Sequence, residues 1–370
     1  MRIALYNLTT TTKVGGVESF VWDLARELAR RGHAVTIFGG VGAVREHVPG
    51  VRVLLFPALP RTFWRTLPLL RRAYAETKLL ERLSMAIAAL PELVRGGYDI
   101  VHIQKPYDLA PTLLARTLGG PRVLLGCHGE DFYRGDRWLA RQADGAVSCS
   151  AFNAQTIAAR YGFTPRVVFN GVDTQLFQQV PADPSIRPAG IPAAAPLLLF
   201  VGRLQPWKGV EYAIRALAAI PRAALLIAGE GVDRPRLMAL AHELGLSERV
   251  RFLGQVPRAQ LPRYFSSVDL LVATSFASET FGIGLVEAQA CGLPVVATRF
   301  GGFPEVVNDG ATGLLVPPQD SSALAIAITT LLADPVRRQA MSSAAPAWAA
   351  QFSWQRVADR VEQSYDEMTR

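Results

Sequence analysis

Short apolar runs and helix-patterned stretches alternate along the chain. RIALYN (2–7) ends at a Thr/Gly loop, and VESFVWDLARELARRGH (17–33) follows with apolar residues at helical spacing. AVTIFGG (34–40), VRVLLFP (51–57), DIVHIQ (99–104), RVLLGCHG (122–129) and GAVSCS (145–150) read as further buried strands. Runs of this kind suit strands covered on both faces, and with helices between them they predict parallel strands in a doubly wound α/β sheet.

PADPSIRPAGIPAAAP (181–196) breaks the pattern with five prolines in sixteen residues and predicts an interdomain linker. The alternation then restarts. Strands are expected at PLLLFVG (196–202), AALLIAGEG (223–231), VRFLG (250–254), DLLVATS (269–275), LPVVAT (293–298) and GLLV (313–316), with helices over 209–219, near 234–245 and opening near Phe281. The expected organisation is an N-terminal Rossmann-like domain over 1–175, a linker over 176–195 and a second Rossmann-like domain over 196–348. The last stretch, 349–370, is expected to be a helix packing back on the first domain. Two such halves would face one another across a cleft, with ligands outside the carboxyl ends of the strands.

Composition narrows the class. At 370 residues the chain is too long for one ordinary core, and with half its residues apolar it excludes bulk disorder. No apolar run reaches the length of a transmembrane helix, and the opening reads as a strand, not a signal peptide. Cys127, Cys149 and Cys291 are odd in number and far apart, which suits small buried hydrophobes in a reducing cytoplasm. The net charge of +8 is uneven: residues 1–180 hold 22 Lys/Arg against 14 Asp/Glu, and residues 181–370 hold 17 of each. Such asymmetry points to an anionic partner for the first half.

Three stretches of the second half carry candidate chemistry. SETFGIGLVEA (278–288) sets Glu279 in a loop and Glu287 in the helix after it, around Gly282 and Gly284. A helix start offers free amides and a dipole that favours an anion, and carboxylates accept hydrogen bonds from sugar hydroxyls. A ligand with hydroxyls at both ends and phosphate in the middle would fit; the plainer reading is a helix with an acidic cap. VGRLQPWKGV (201–210) places Arg203 and Lys208 in a strand-to-helix loop, where two cations suit a diphosphate whose charge grows as a bond to it breaks. Here the plainer reading is a basic loop. IAGEG (227–231), with Gly229, is a glycine-rich strand end of the same sheet.

In the first half, KVGGVESF (13–20) is a glycine loop between the first strand and helix, with Gly15 and Gly16 at the helix start. LLGCHGED (124–131) puts His128 and Asp131 at a strand's carboxyl end, a place for a site histidine as well as a structural one.

The set GGVES, HGED, NGVD, GRLQPWKG, AGEG and SETFGIGLVEAQACGLPVVAT, followed by GGFPEVV and GATGLLV, resembles the family-four retaining glycosyltransferases of the GT-B fold over nearly the whole chain. The resemblance implies a hexosyltransferase whose catalytic residues are His128, Arg203, Lys208 and Glu279. The loop at Gly15 and Gly16 would meet the donor phosphate and the acceptor, and His128 would lie beside the transferred sugar. Arg203 and Lys208 would neutralise the leaving diphosphate. Glu279 would hold sugar hydroxyls and Glu287 the ribose, with Gly229 part of the same donor site. Amides of Phe281, Gly282 and Ile283 would bind the diphosphate or sugar, and backbone near Gln255 and Val256 would meet the base. The resemblance implies no metal or other cofactor, and the lack of any Asp-X-Asp in the chain agrees with it.

Acceptors are expected on the basic first half. RTFWRTLPLLRRAYAETKLLERL (61–83) carries six Lys/Arg against two Glu with Phe63 and Trp64 interleaved. It reads either as a segment docking on an anionic membrane or as an excursion packed on its own domain, and Pro68 interrupts any continuous helix. The expected activity moves a sugar from a nucleotide donor, a UDP-sugar before GDP-mannose, to a glycan or lipid-linked acceptor. Nucleic acid is not an expected partner, and the expected location is the cytoplasm, extending to the inner face of the membrane. The runners-up are a sugar-nucleotide epimerase of similar shape and a non-catalytic membrane- or nucleic-acid-binding protein.

Overall fold

The computed structural model describes residues 1–13, 15–43 and 46–370. The chain forms two compact units, Met1–Gly171 with Trp354–Arg370, and Val172–Ser353.

The first unit is built on seven strands: β1 Arg2–Tyr6, β2 Ala34–Gly40, β3 Val51–Phe56, β4 Ile100–Ile103, β5 Arg122–Cys127, β6 Gly145–Ser148 and β7 Arg166–Val167. Their order in the sheet is β3-β2-β1-β4-β5-β6-β7, and every pairing is parallel. β1 and β4 lie side by side although β2, β3 and the helices around them separate the two in sequence, which makes their carboxyl ends the switch point of the sheet. The strands expected from sequence all form. β7 is the addition, because two residues are too few to leave a periodic signal.

The helix Gly16–Arg30 buries Phe20, Val21, Leu24, Ala25 and Leu28 against this sheet. The helix Trp354–Thr369 adds Trp354, Val357, Val361 and Tyr365 to the same core, each contributing on the order of 1.5–3 kcal/mol by burial. Gly171 makes room for it: a Cβ there would sit 2.4 Å from the Trp354 ring. Segment 61–83 is broken as Pro68 requires, with a short helix Arg61–Trp64, a single turn Pro68–Leu70 and the start of a long helix, Tyr74–Arg95.

The second unit has six parallel strands: β8 Leu197–Val201, β9 Ala224–Ala228, β10 Val250–Gly254, β11 Leu270–Ala273, β12 Val295–Thr298 and β13 Gly313–Val316. Their order is β10-β9-β8-β11-β12-β13, so β8 and β11 flank the second switch point. Cys127, Cys149 and Cys291 are all buried. No helix among the described residues is long and apolar enough to cross a membrane.

Candidate active site

The switch point of the second unit joins the two stretches that sequence offered as separate candidates. β8 ends at Val201 and β11 at Ala273, and their pairing brings the loops that follow them together. Lys208 Nζ thereby lies 2.5 Å from Glu279 Oε2, although the residues are 71 apart in the chain. The Ser275 hydroxyl donates to the same carboxylate oxygen at 3.2 Å. Thr274 donates to the Lys208 carbonyl at 2.9 Å, fixing the lysine's own backbone. Gly209 permits this approach: its φ is +63°, and a Cβ would stand 2.3 Å from the Thr274 carbonyl. Arg203 follows β8, is exposed, and has no ion-pair partner among the described residues. Two cations and one carboxylate therefore share this edge, one cation held and one open.

Glu279 sits in a loop under tension. Ser278 has φ +52°, a left-handed conformation costly for a residue with a side chain. Behind the loop, the Gly302 amide donates to the Glu279 carbonyl at 3.2 Å. A Cβ on Gly301 would lie 1.9 Å from that carbonyl, which explains the glycine pair before Phe303. The helix expected to open near 280–282 opens at Ile283 and runs to Ala290, with Gly282 at φ +104° as its cap. Gly282 and Ile283 thus stand at the helix start as expected, with Phe281 buried just before them.

Glu287 is buried four residues into that helix. Arg258 Nε donates to its Oε1 at 3.0 Å, and the guanidinium lies over the Phe177 ring at 5.2 Å from the centroid. Sequence reasoning missed Arg258; it stands just beyond Gln255 and Val256, which follow β10, and only the fold brings that loop to the helix. Gly229 follows β9 at φ +157°, and a Cβ there would sit 1.8 Å from the Gly202 carbonyl, so any side chain would push apart the strand ends beside Arg203.

In the first unit, His128 follows β5. Its Nε2 lies 2.7 Å from Gln104 Oε1, and its ring meets Phe20 at 4.6 Å between centroids. With the amide oxygen as partner, Nε2 carries the proton. Burial first, then nearby Lys105 and His102, push the imidazole down to about 3, so the ring is neutral at physiological pH. A recess at the ends of β4 and β5 is lined by Gln104, Lys105, His128 and Asp131. Gly15 and Gly16 stand where the helix Gly16–Arg30 begins; Val14 of that loop lies outside the described residues. A Cβ on Gly15 would come within 2.5 Å of Glu18 Oε2, whose other oxygen accepts from Thr9 at 2.5 Å. Among the described residues no three His, Cys, Asp or Glu side chains are grouped to hold a metal ion.

Each half matches a known family model: residues 14–176 match "Glycosyltransferase Family 4", and residues 183–348 match "Glycosyl transferases group 1". A D-inositol 3-phosphate glycosyltransferase of Corynebacterium jeikeium is 30% identical over 100% of this chain and 97% of its own length. The chain belongs to glycosyltransferase family four. A second relative of that name, from Mycobacterium marinum, is 32% identical, with 96% of this chain and 82% of the relative aligned. Among solved structures, sucrose-phosphate synthase from Thermosynechococcus elongatus matches with a TM-score of 0.84 at 28% identity, over 99% of this chain and 98% of that one. The Anabaena HepE protein in complex with UDP-glucose matches at 0.77 and 25% identity, over 99% and 100%. The chain is thus a GT-B glycosyltransferase of the retaining family four, and the epimerase and non-catalytic readings give way to it.

Proposed function

We propose that the chain transfers a hexose from a nucleoside diphosphate sugar, a UDP-sugar before GDP-mannose, with retention and without a metal. The observation that carries the reading is the meeting of Lys208 and Glu279 beside the start of the helix Ile283–Ala290. The arrangement supplies a cation for the leaving phosphate, free amides for its oxygens and a carboxylate for sugar hydroxyls. Solved complexes of HepE with UDP and with UDP-glucose favour uridine as the base.

In the reaction the sugar C1–O bond breaks with its electron pair going to the diphosphate, on which Arg203 and Lys208 act. The acceptor oxygen forms the new bond on the same face and passes its proton to the departing phosphate oxygen. Neutral His128 hydrogen-bonds the sugar, while Glu279 and Glu287 hold sugar and ribose hydroxyls. The acceptor is a glycan, a lipid-linked sugar or a phosphorylated polyol, the last suggested by the relatives named for D-inositol 3-phosphate.

Segment 61–83 supports a peripheral contact with an anionic membrane from the cytoplasmic side. Phe63, Leu67 and Leu69 are exposed, the last at 96%, and Arg65, Arg71 and Arg72 are exposed among them. Turnover of UDP-glucose and GDP-mannose against an acceptor panel, with chelator present, tests the whole reading. Sugar transfer in chelator supports it, and activity lost in chelator and restored by magnesium or manganese refutes the donor site described.

A further inference from the structure

Behind Lys208 and Glu279 stands a row of buried hydroxyls. Thr274 and Ser275 follow the end of β11, and Thr298 ends the neighbouring β12; all three are buried. Each hydroxyl has its own acceptor. Thr274 donates to the Lys208 carbonyl at 2.9 Å, Ser275 to Glu279 Oε2 at 3.2 Å, and Thr298 to the Ser275 carbonyl at 2.5 Å. The Phe276 amide completes the row, donating to the Trp207 carbonyl at 3.0 Å. One strand end therefore grips both loops of the donor edge: Thr274 reaches the loop after β8, and Ser275 reaches the carboxylate of the loop before the helix Ile283–Ala290.

The two donors to Glu279 meet the same oxygen. Lys208 Nζ and the Ser275 hydroxyl both stand on Oε2, while Oε1 has no hydrogen-bond partner among the described residues. A carboxylate pinned through one oxygen keeps the acceptor sites of the other for a ligand hydroxyl. The two donors are not equivalent. Lys208 ends a long flexible stem, 20% exposed, and a diphosphate would draw its ammonium away. Ser275 cannot follow: its side chain is short, and its backbone is tied to Thr298 inside the sheet. With the donor in place, Ser275 is the contact that still turns the carboxylate.

We propose that Ser275 is a positioning residue of the donor site, its hydroxyl holding the Glu279 carboxylate so that Oε1 receives a hydroxyl of the transferred sugar. This rests on the reading that Glu279 holds that sugar. Thr298 acts one step further back, fixing the Ser275 backbone from β12. The device is rigid because it is built on strand ends and buried hydrogen bonds, which suits a group whose angle at the ligand matters.

The test is a double-mutant cycle between Ser275→Ala and Glu279→Ala in the whole chain. It is read as nucleoside diphosphate release from UDP-glucose or GDP-mannose, with water or the acceptor panel as acceptor, beside calorimetric titration with the bare diphosphate. Ser275→Ala removes one oxygen and adds no bulk, so the fold is kept. It is expected to lower kcat at least tenfold and to change diphosphate affinity less than twofold, because the bare diphosphate has no sugar for Glu279 to hold. In the Glu279→Ala background the same substitution is expected to change kcat less than twofold. A normal kcat in Ser275→Ala, a tenfold loss in both backgrounds, or a loss confined to diphosphate affinity overturns the positioning role and leaves the donor reading standing. A normal rate in Glu279→Ala, or a wild type that releases no diphosphate from either donor, overturns the donor reading and the proposal with it.

Discussion

Arg82→Met isolates one buried charge and asks what it holds. The Arg82 and Asp108 side chains are 3% and 1% exposed, and Arg82 also donates to Asn7 Oδ1 at 3.1 Å. Methionine replaces the apolar stem and removes only the guanidinium, leaving Asp108 buried without its cation. Breaking a buried pair from one side costs about 3–5 kcal/mol, far above the 0–1 kcal/mol of an exposed pair. The deficit should depend on pH. Burial already raises the Asp108 carboxyl against the downward pull of Arg82, and without that pull it rises further. A carboxyl with a raised native pKa binds its proton more readily folded than unfolded, so stability is regained as pH falls toward the unfolded value near 4. Urea unfolding at pH 7 and pH 5 should show the variant's deficit narrowing at the lower pH, and Arg82→Met with Asp108→Asn should recover most of it. A deficit under about 1 kcal/mol, or one equal at both pH values, would refute the argument.

Four further outcomes are expected. Arg203→Ala and Lys208→Ala should each cut turnover far more than they lower the melting temperature, since each leaves diphosphate charge uncompensated; near-normal rates in both remove them from the mechanism. Glu287→Gln should weaken UDP binding by about 1–3 kcal/mol and Glu279→Gln should change it little while lowering the transfer rate; the reverse calorimetric result would mean the donor runs the other way along the helix. Burial pushes His102, hydrogen-bonded to Tyr365 at 2.9 Å, down to about 3. The unfolded histidine takes a proton below about 6.5 and the native one does not, so stability should fall with pH over that window, by about 2 kcal/mol at pH 5; His102→Asn should flatten the slope, and an unchanged slope would count against it. Finally, Leu69→Glu with Arg71→Glu should release the chain from anionic vesicles in a sedimentation assay, and wild-type chain that never binds them would dismiss the membrane contact.

How much of this was legible in the sequence depends on what each feature needs. The long strands show because a parallel strand is covered on both faces, and its apolar run carries that burial directly. β7, two residues long, has no such run. The helix at Ile283 shows its glycines but not its first residue, because Gly282 at φ +104° can end a loop as well as begin a turn. The residue types of the site were legible as motifs, while their partnerships were not. Lys208 meets Glu279 only because β8 pairs with β11, and strand order is a property of the assembled sheet. Arg258 meets Glu287 and Lys78 meets Asp131 across 29 and 53 residues for the same reason. The sequence of the second unit thus offers Arg203, Lys208, Glu279 and Glu287 on separate stretches, and the fold pairs Glu279 with Lys208 and Glu287 with Arg258, which the motifs did not single out. Lys208 and Glu279 hold one another in the structure, and on the proposed donor reading a diphosphate and a sugar would compete for them. On that reading the donor's binding energy would have to exceed that of the ion pair it displaces. Arg203, exposed and unpaired among the described residues, is free to make the first contact.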